Sequence, residues 1–170
     1  MDIPSLAALV VVGIASVVDV RTRRIPNVLT VGAGGSALLY LGLAHGAPGL
    51  ARSAVGLVAG LAIFLPLFLL RGLGAGDVKL LGAVGAWLGP EVVMRCALYT
   101  VLAGGVLALW VALRQRYLRE AIANLGNLLW SWRLEGPRPL AGVTLADSKG
   151  PRLPYGTAIA AGTLIAIWLT

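Results

Sequence analysis

Six apolar runs, separated by short charged segments, are the feature that most limits what this chain can fold into. They occupy residues 3–18, 28–44, 54–70, 78–88, 92–113 and 155–169, and most approach the length of about 20 residues that a helix needs to cross a bilayer. The fourth run is the shortest. With 58% hydrophobic and 12% charged residues and a mean hydropathy of +0.88, the composition excludes an ordinary soluble domain. The sequence therefore predicts an all-α membrane protein, a single integral-membrane domain over residues 1–170 with about six transmembrane helices.

The distribution of basic residues predicts the orientation of these helices. With the N-terminus outside, the loops 19–27, 71–77 and 114–154 lie in the cytoplasm. These loops, together with Lys79 at the start of the fourth run, contain twelve of the fourteen basic residues and leave only Arg52 and Arg95 elsewhere. Because cytoplasmic loops carry an excess of lysine and arginine, this orientation is the expected one. The net charge of +7 is thereby explained by a lipid bilayer, without a nucleic-acid partner.

Two aspartates lie at the edges of apolar runs, where a carboxylate is costly. Asp19 follows the first run, and Asp77 precedes the fourth within a glycine-rich turn. A charged group at the centre of a membrane helix costs roughly 2.5–3.5 kcal/mol on insertion scales, and less near the interface, so such residues are functional candidates. The predicted topology places both acids at the cytoplasmic face, at similar depth.

Glycine spacing and one long loop complete the predicted architecture. Gly56 and Gly60, and then Gly82, Gly85 and Gly89, repeat at three or four residues, a spacing that lets helix backbones approach closely in lipid. Within the loop 114–154, apolar side chains recur at spacings of four and three on one helical face: Leu118, Ile122, Leu125, Leu129 and Trp132. This pattern predicts an amphipathic helix lying in the membrane interface, followed by irregular chain.

The chemistry open to these residues is limited. The single Cys96 and the single His45 exclude a zinc site built from Cys and His, and no metal or other cofactor is expected. Two neighbouring carboxyl groups, by contrast, share a proton, so that one serves as base and the other as acid toward a water molecule. Asp77 begins a helix, whose dipole favours the ionised form, whereas Asp19 ends one. We therefore expect Asp77 to be the base and Asp19 the protonated partner, a bias that the neighbouring Arg21, Arg23 and Arg24 could reverse.

The segments around the two acids resemble those of the type IV prepilin peptidases, membrane aspartyl proteases of the GxGD type. The sequence reads DVRTRRIPN over residues 19–27 and GAGDVK over residues 74–79, and LPYGTA over residues 153–158 is similar to the Pro-Phe-Gly stretch that opens the last span in that family. We refer to these segments as the three motifs. Asp19 and Asp77 correspond to the two family aspartates.

The resemblance implies a multi-pass endopeptidase of the bacterial cytoplasmic membrane that removes the basic leader of prepilin or pseudopilin substrates, after a glycine, at the cytoplasmic face. It also implies a pilus or secretion machinery, such as a Flp/Tad-type pilus, as a partner. The supporting residues that it implies are Arg23, Ile25, Pro26, Asn27, Gly74, Gly76, Lys79, Pro154, Tyr155 and Gly156. Tyr155 stands where phenylalanine is more usual.

Longer family members carry an N-terminal region with two Cys-x-x-Cys pairs and also N-methylate the new N-terminus. Because this chain has one cysteine and no such region, we expect peptidase activity alone. The alternative from another class is a small proton-coupled transporter with Asp19 and Asp77 as a proton relay. That alternative explains neither the Ile-Pro-Asn segment nor the glycines of the second motif.

Overall fold

All the regular elements in the described part of the chain are helices. The computed structural model describes residues 1–114, 118–136 and 154–169, and its helices are α1 (Ile3–Thr22), α2 (Asn27–Leu69), α3 (Ala75–Leu88), α4 (Pro90–Arg114), α5 (Leu118–Glu135) and α6 (Tyr155–Trp168). In this part of the chain α1, α2 and α4 are long and apolar enough to cross a membrane, and α6 is a shorter apolar helix. The predicted all-α, polytopic architecture is confirmed.

The second and third predicted spans belong to one element that reverses direction at Gly46. Gly46 has φ 64° and ψ −152°, a backbone conformation that favours glycine. Gly34 faces Leu57, and Gly42 faces Leu50, so the arms 27–45 and 47–69 run antiparallel. The loop predicted over residues 45–53 is therefore a turn centred on one residue, and Arg52 lies within the second arm.

The short helix α3 forms the centre of the bundle. Every residue from 80 to 89 is buried. Its 14 residues span about 21 Å, less than the hydrocarbon thickness of about 30 Å. A short helix is tolerated in this position because the surrounding helices, rather than lipid, cover its ends.

Glycines bring α2 and α3 into backbone contact, as the sequence predicted. A Cβ on Gly56 would collide with the Gly85 carbonyl oxygen, and one on Gly60 would collide with that of Leu81. Ser53 Oγ donates to the Ala86 carbonyl oxygen at 2.8 Å in the same interface. The antiparallel packing of α3 on the second arm of α2 therefore requires glycine, which has no side chain, at positions 56 and 60.

The two ends of the bundle differ in composition. At one end α1 ends and α3 and α6 begin, and the basic residues Arg21, Arg23, Arg24, Arg71 and Lys79 lie there or in the adjoining loops. At the other end, beside Gly89, Arg52 donates to the Leu88 carbonyl oxygen at 3.1 Å and lies 3.9 Å from a Glu91 carboxylate oxygen. This asymmetry supports the predicted orientation, which stays a prediction.

A helix, α5, is present within the predicted loop 114–154. Of the predicted apolar face, Ile122 is exposed, and Trp130 and Leu134, which do not belong to that face, are exposed as well. The location of α5 at the membrane surface stays a prediction. The irregular chain predicted after it falls mainly on residues 137–153, which lie outside the described residues.

Candidate active site

Asp19 lies in the last turn of α1 and is almost completely buried. Its side chain is 6% exposed, and its Oδ2 accepts a hydrogen bond from the Gly156 backbone N–H at 2.9 Å. Gly156 is in the first turn of α6, where backbone N–H groups have no partner within the helix. A Cβ on Gly156 would lie only 3.1 Å from Asp19 Oδ2, so α6 approaches the carboxyl group over a residue without a side chain.

Asp77 occupies the third position of α3. Its Oδ2 accepts a hydrogen bond from the Gly74 N–H at 3.1 Å, and a Cβ on Gly74 would lie 3.0 Å from the same oxygen. The Asp77 side chain is half-buried, and the next residue in the sequence, Val78, belongs to the core. The glycine-rich turn thus folds back on the carboxyl group that it delivers to the bundle.

The fold places the two acids at the same end of the bundle. Helices α1 and α3 pack against each other, and Ile25, which follows α1, lies against Gly76, the neighbour of Asp77. Within residues 1–114, 118–136 and 154–169, neither Asp19 nor Asp77 forms a salt bridge. The salt bridge found there joins Arg52 and Glu91. Two carboxyl groups without a cationic partner among the described residues are therefore gathered at one end of the bundle.

Contacts between side chains join the first and second motifs. Lys79 Nζ donates to Asn27 Oδ1 at 2.9 Å. A Cβ on Gly76 would lie 3.0 Å from Ile25 Cβ, so Ile25 packs directly on the backbone of the second motif.

The first motif also contains the residues that end α1 and begin α2. Pro26 is the N-cap of α2. Arg23 caps the end of α1 with φ 55°, its N–H donating to the Asp19 carbonyl oxygen at 2.8 Å. The loop after α1 is thereby fixed against the start of α3.

The third motif contributes the start of α6. Pro154 is its N-cap, and its carbonyl oxygen accepts from the Thr157 hydroxyl at 2.7 Å. The Tyr155 ring lies edge-on to Phe64 with ring centroids 6.2 Å apart, and the next residue, Gly156, donates its N–H to Asp19. All three motifs therefore meet at one end of the molecule.

Sequence reasoning missed two aspects of this site. Phe64 and Gly104, which both contact Tyr155, belong to none of the motifs, and no pattern distinguishes them from neighbouring apolar or glycine residues. The expected protonation of Asp19 rests on the end of α1 and the arginines near it, whereas the start of α6 also donates to the carboxyl group. The assignment of base and acid stays a prediction.

No group of three or more His, Cys, Asp or Glu side chains suited to a metal ion occurs among the described residues. The two carboxyl groups at one end of the bundle are a candidate acid–base pair.

The chain belongs to the Type IV leader peptidase family, whose model matches residues 6–109. This match includes both aspartates and ends before the third motif. Proteins named prepilin leader peptidase/N-methyltransferase are similar to the chain. That of Burkholderia pseudomallei is 35% identical over 143 residues, covering 74% of this chain and 45% of the relative. That of Escherichia coli K12 is 34% identical over 137 residues, covering 68% and 59%.

A third relative, from Pectobacterium carotovorum, is 34% identical over 125 residues, covering 65% of this chain and 42% of its own length. The chain thus matches between about two fifths and three fifths of the length of these curated relatives. No solved structure matches it. These findings confirm the resemblance inferred from the motifs.

Proposed function

We propose that this protein is an aspartyl endopeptidase that removes the leader peptide from prepilin-like substrates, with Asp19 and Asp77 as the catalytic residues. One observation carries the proposal: two acids from distant parts of the sequence lie at one end of the bundle, each bonded to a glycine N–H, with no ion pair to either among the described residues. Family membership supports the leader peptidase activity.

The two carboxyl groups supply general acid–base catalysis. One carboxylate accepts a proton from water as the water oxygen bonds to the scissile carbonyl carbon, and the protonated carboxyl group donates to the carbonyl oxygen. Collapse of the resulting diol breaks the C–N bond, and the leaving nitrogen takes up a proton. Because the two groups titrate as a pair, exchanging their roles between steps returns them to the starting state.

The proposed substrate fits the position of the site. A prepilin has a short basic leader followed by an apolar helix, so its scissile bond lies at the depth of the headgroups. Both acids lie at the end of the bundle where the basic residues of the described chain are concentrated. We assign this end to the cytoplasmic face, and we place cleavage after the glycine that ends the leader.

We further propose that these 170 residues carry peptidase activity alone. They contain one cysteine, Cys96, which is buried, and so offer no Cys-x-x-Cys pair. The curated relatives are named for two activities, and the chain matches only part of their length. A proton-coupled transporter, the alternative, is disfavoured because both acids lie at one end of the bundle and not along a path across it.

The proposal is tested by co-expressing the chain with a candidate prepilin and measuring leader removal by gel shift. Asp19→Asn and Asp77→Asn should each abolish cleavage, since neither variant then has two carboxyl groups. Asp2→Asn is the matched control: Asp2 caps the start of α1 by accepting from Ser5 N–H at 3.2 Å, and asparagine is an equally good cap. Normal processing by either Asp19→Asn or Asp77→Asn would refute the catalytic assignment.

A further inference from the structure

We propose that Gly104, in the middle of α4 and outside the three motifs, is a positioning residue for Asp19. Because glycine has no side chain, the Tyr155 ring can pack against α4 at this position. The position of the ring in turn fixes the Gly156 N–H at hydrogen-bonding distance from the Asp19 carboxyl group. The proposal rests on the proposed function for its catalytic readout, and it adds to the site a residue that the motifs do not contain.

The Tyr155 ring fits tightly against α4. A Cβ on Gly104 would lie 2.8 Å from Tyr155 Cε2, 2.9 Å from its hydroxyl oxygen and 3.0 Å from Cζ. The ring also meets Phe64, which is fully buried on α2. Because three ring atoms lie within 3.0 Å of the added methyl group and the ring also packs on Phe64, Tyr155 has to shift to admit that group.

Tyr155 is linked through the backbone to the catalytic end of the bundle. Tyr155 and Gly156 are consecutive residues in the first turn of α6, so a shift of one moves the other. The Gly156 N–H donates to Asp19 Oδ2 at 2.9 Å, and a Cβ on Gly156 would already lie within 3.1 Å of that side chain. A displacement of a few tenths of an ångström at Tyr155 therefore alters how the Asp19 carboxyl group is held.

The neighbouring glycine shows that the requirement is specific to one position. A Cβ on Gly105 would have nothing within 4 Å, and Gly105 is exposed, whereas Gly104 is buried. The two residues share the same helix and differ by about 100° in direction. A phenylalanine at 155, the residue more usual in the family, would remove only the hydroxyl contact and would leave the Cε2 contact at 2.8 Å.

The experiment compares Gly104→Ala with Gly105→Ala in the whole 170-residue chain, in wild-type and Tyr155→Leu backgrounds. Leucine lacks the ring atoms that meet Gly104. We expect Gly104→Ala to lower kcat for leader removal by between about tenfold and a hundredfold, with KM little changed, because a misplaced catalytic group affects the chemical step. Gly105→Ala should match wild type. In the Tyr155→Leu background, Gly104→Ala should cause no additional loss.

A second measurement does not depend on cleavage. Hydrogen exchange of the Gly156 amide should be faster in Gly104→Ala than in wild type or in Gly105→Ala, since the bond to Asp19 is weakened. If wild type fails to cleave prepilin, the proposed function fails, and this measurement still decides the role of Gly104.

Three results would overturn the proposal. The first is an equal loss of kcat in Gly104→Ala and Gly105→Ala. The second is a loss of kcat from Gly104→Ala that is as large in the Tyr155→Leu background as in wild type. The third is unchanged exchange at Gly156. If Gly104→Ala alone fails to fold, folding of the double variant with Tyr155→Leu supports the proposal, and failure of both contradicts it.

Discussion

Glycine amides, rather than side-chain cations of the described residues, hold the carboxyl groups of Asp19 and Asp77. Each carboxyl group accepts one backbone N–H bond from a glycine, at 2.9 Å for Asp19 and 3.1 Å for Asp77. A backbone donor fixes a carboxyl group without placing a cation beside it. At each of the two glycines a Cβ would lie 3.0–3.1 Å from the acid.

Gly156→Ala tests this arrangement at single-residue scale. The added Cβ would lie 3.1 Å from Asp19 Oδ2, closer than ordinary contact, so Asp19 or the start of α6 must shift. We expect leader removal to slow by roughly tenfold or more, because small displacements of catalytic groups are costly. Gly13→Ala, on the exposed side of α1 with nothing within 4 Å, is the control, and an equal effect of both variants would contradict the explanation.

The bond between Lys79 and Asn27 makes a second prediction. Asn27→Leu removes the acceptor and should reduce activity by roughly twofold to tenfold, the range of an exposed hydrogen bond of about 0.5–1.5 kcal/mol. Asn27→Asp keeps an acceptor for the Lys79 ammonium group and should retain activity. Cleavage rates at matched expression measure both. A loss in Asn27→Asp as large as that in Asn27→Leu would show that Lys79 is not the relevant partner.

At the scale of elements, α3 is short, central and packed through glycine. Its contact with the second arm of α2 has backbone against backbone at Gly56 and Gly85. Such contacts give helices in lipid their closest packing, where the hydrophobic effect between helices is absent. The helix that carries Asp77 is thus fixed through small residues on both sides of the contact.

Gly85→Ala should destabilise the bundle by about 1–3 kcal/mol, because its Cβ would overlap the Gly56 carbonyl group and neither backbone can rotate away. Gly35→Ala, on the first arm of α2 with open space around it, should leave stability nearly unchanged. Thermal unfolding in detergent distinguishes the two. Equal midpoints for both variants would refute the close approach of α2 and α3.

At the scale of the whole molecule, the bundle has one end that holds Asp19 and Asp77 and an opposite end marked by Gly46 and the Arg52–Glu91 pair. The basic residues of the described chain lie mainly toward the end that holds the two acids. In a bacterial membrane we expect this asymmetry to orient that end toward the cytoplasm.

Cysteine labelling tests the orientation. Cys96 is buried and free, so Cys96→Ala provides a background without reactive thiols. In that background Arg24→Cys should react with a membrane-impermeant maleimide only after the cytoplasmic side is opened, and His45→Cys, exposed at the opposite end, should react in intact spheroplasts. The reverse pattern would place the acids outside and contradict the proposed site of cleavage.

The pattern of apolar runs and charges predicts much of this protein because those properties are local. Run length predicts the helices, glycine spacing predicts close helix packing without naming the partner helix, and lysine and arginine counts predict that Asp19 and Asp77 share a face. The loop predicted over residues 45–53 was wrong in length, because a single glycine with positive φ can reverse a helix that apolar periodicity alone does not interrupt.

The sequence by itself determined the multi-span helical character of this membrane protein and the motifs of the leader peptidases, and it predicted that the two acids share one side. Only the tertiary structure decided what touches those acids. The Gly156 N–H reaches Asp19 across 137 positions, and Tyr155 lies on Gly104 and Phe64. Such contacts depend on the depth and rotation at which distant helices pack, which are set by many side chains together and are not encoded in any one segment.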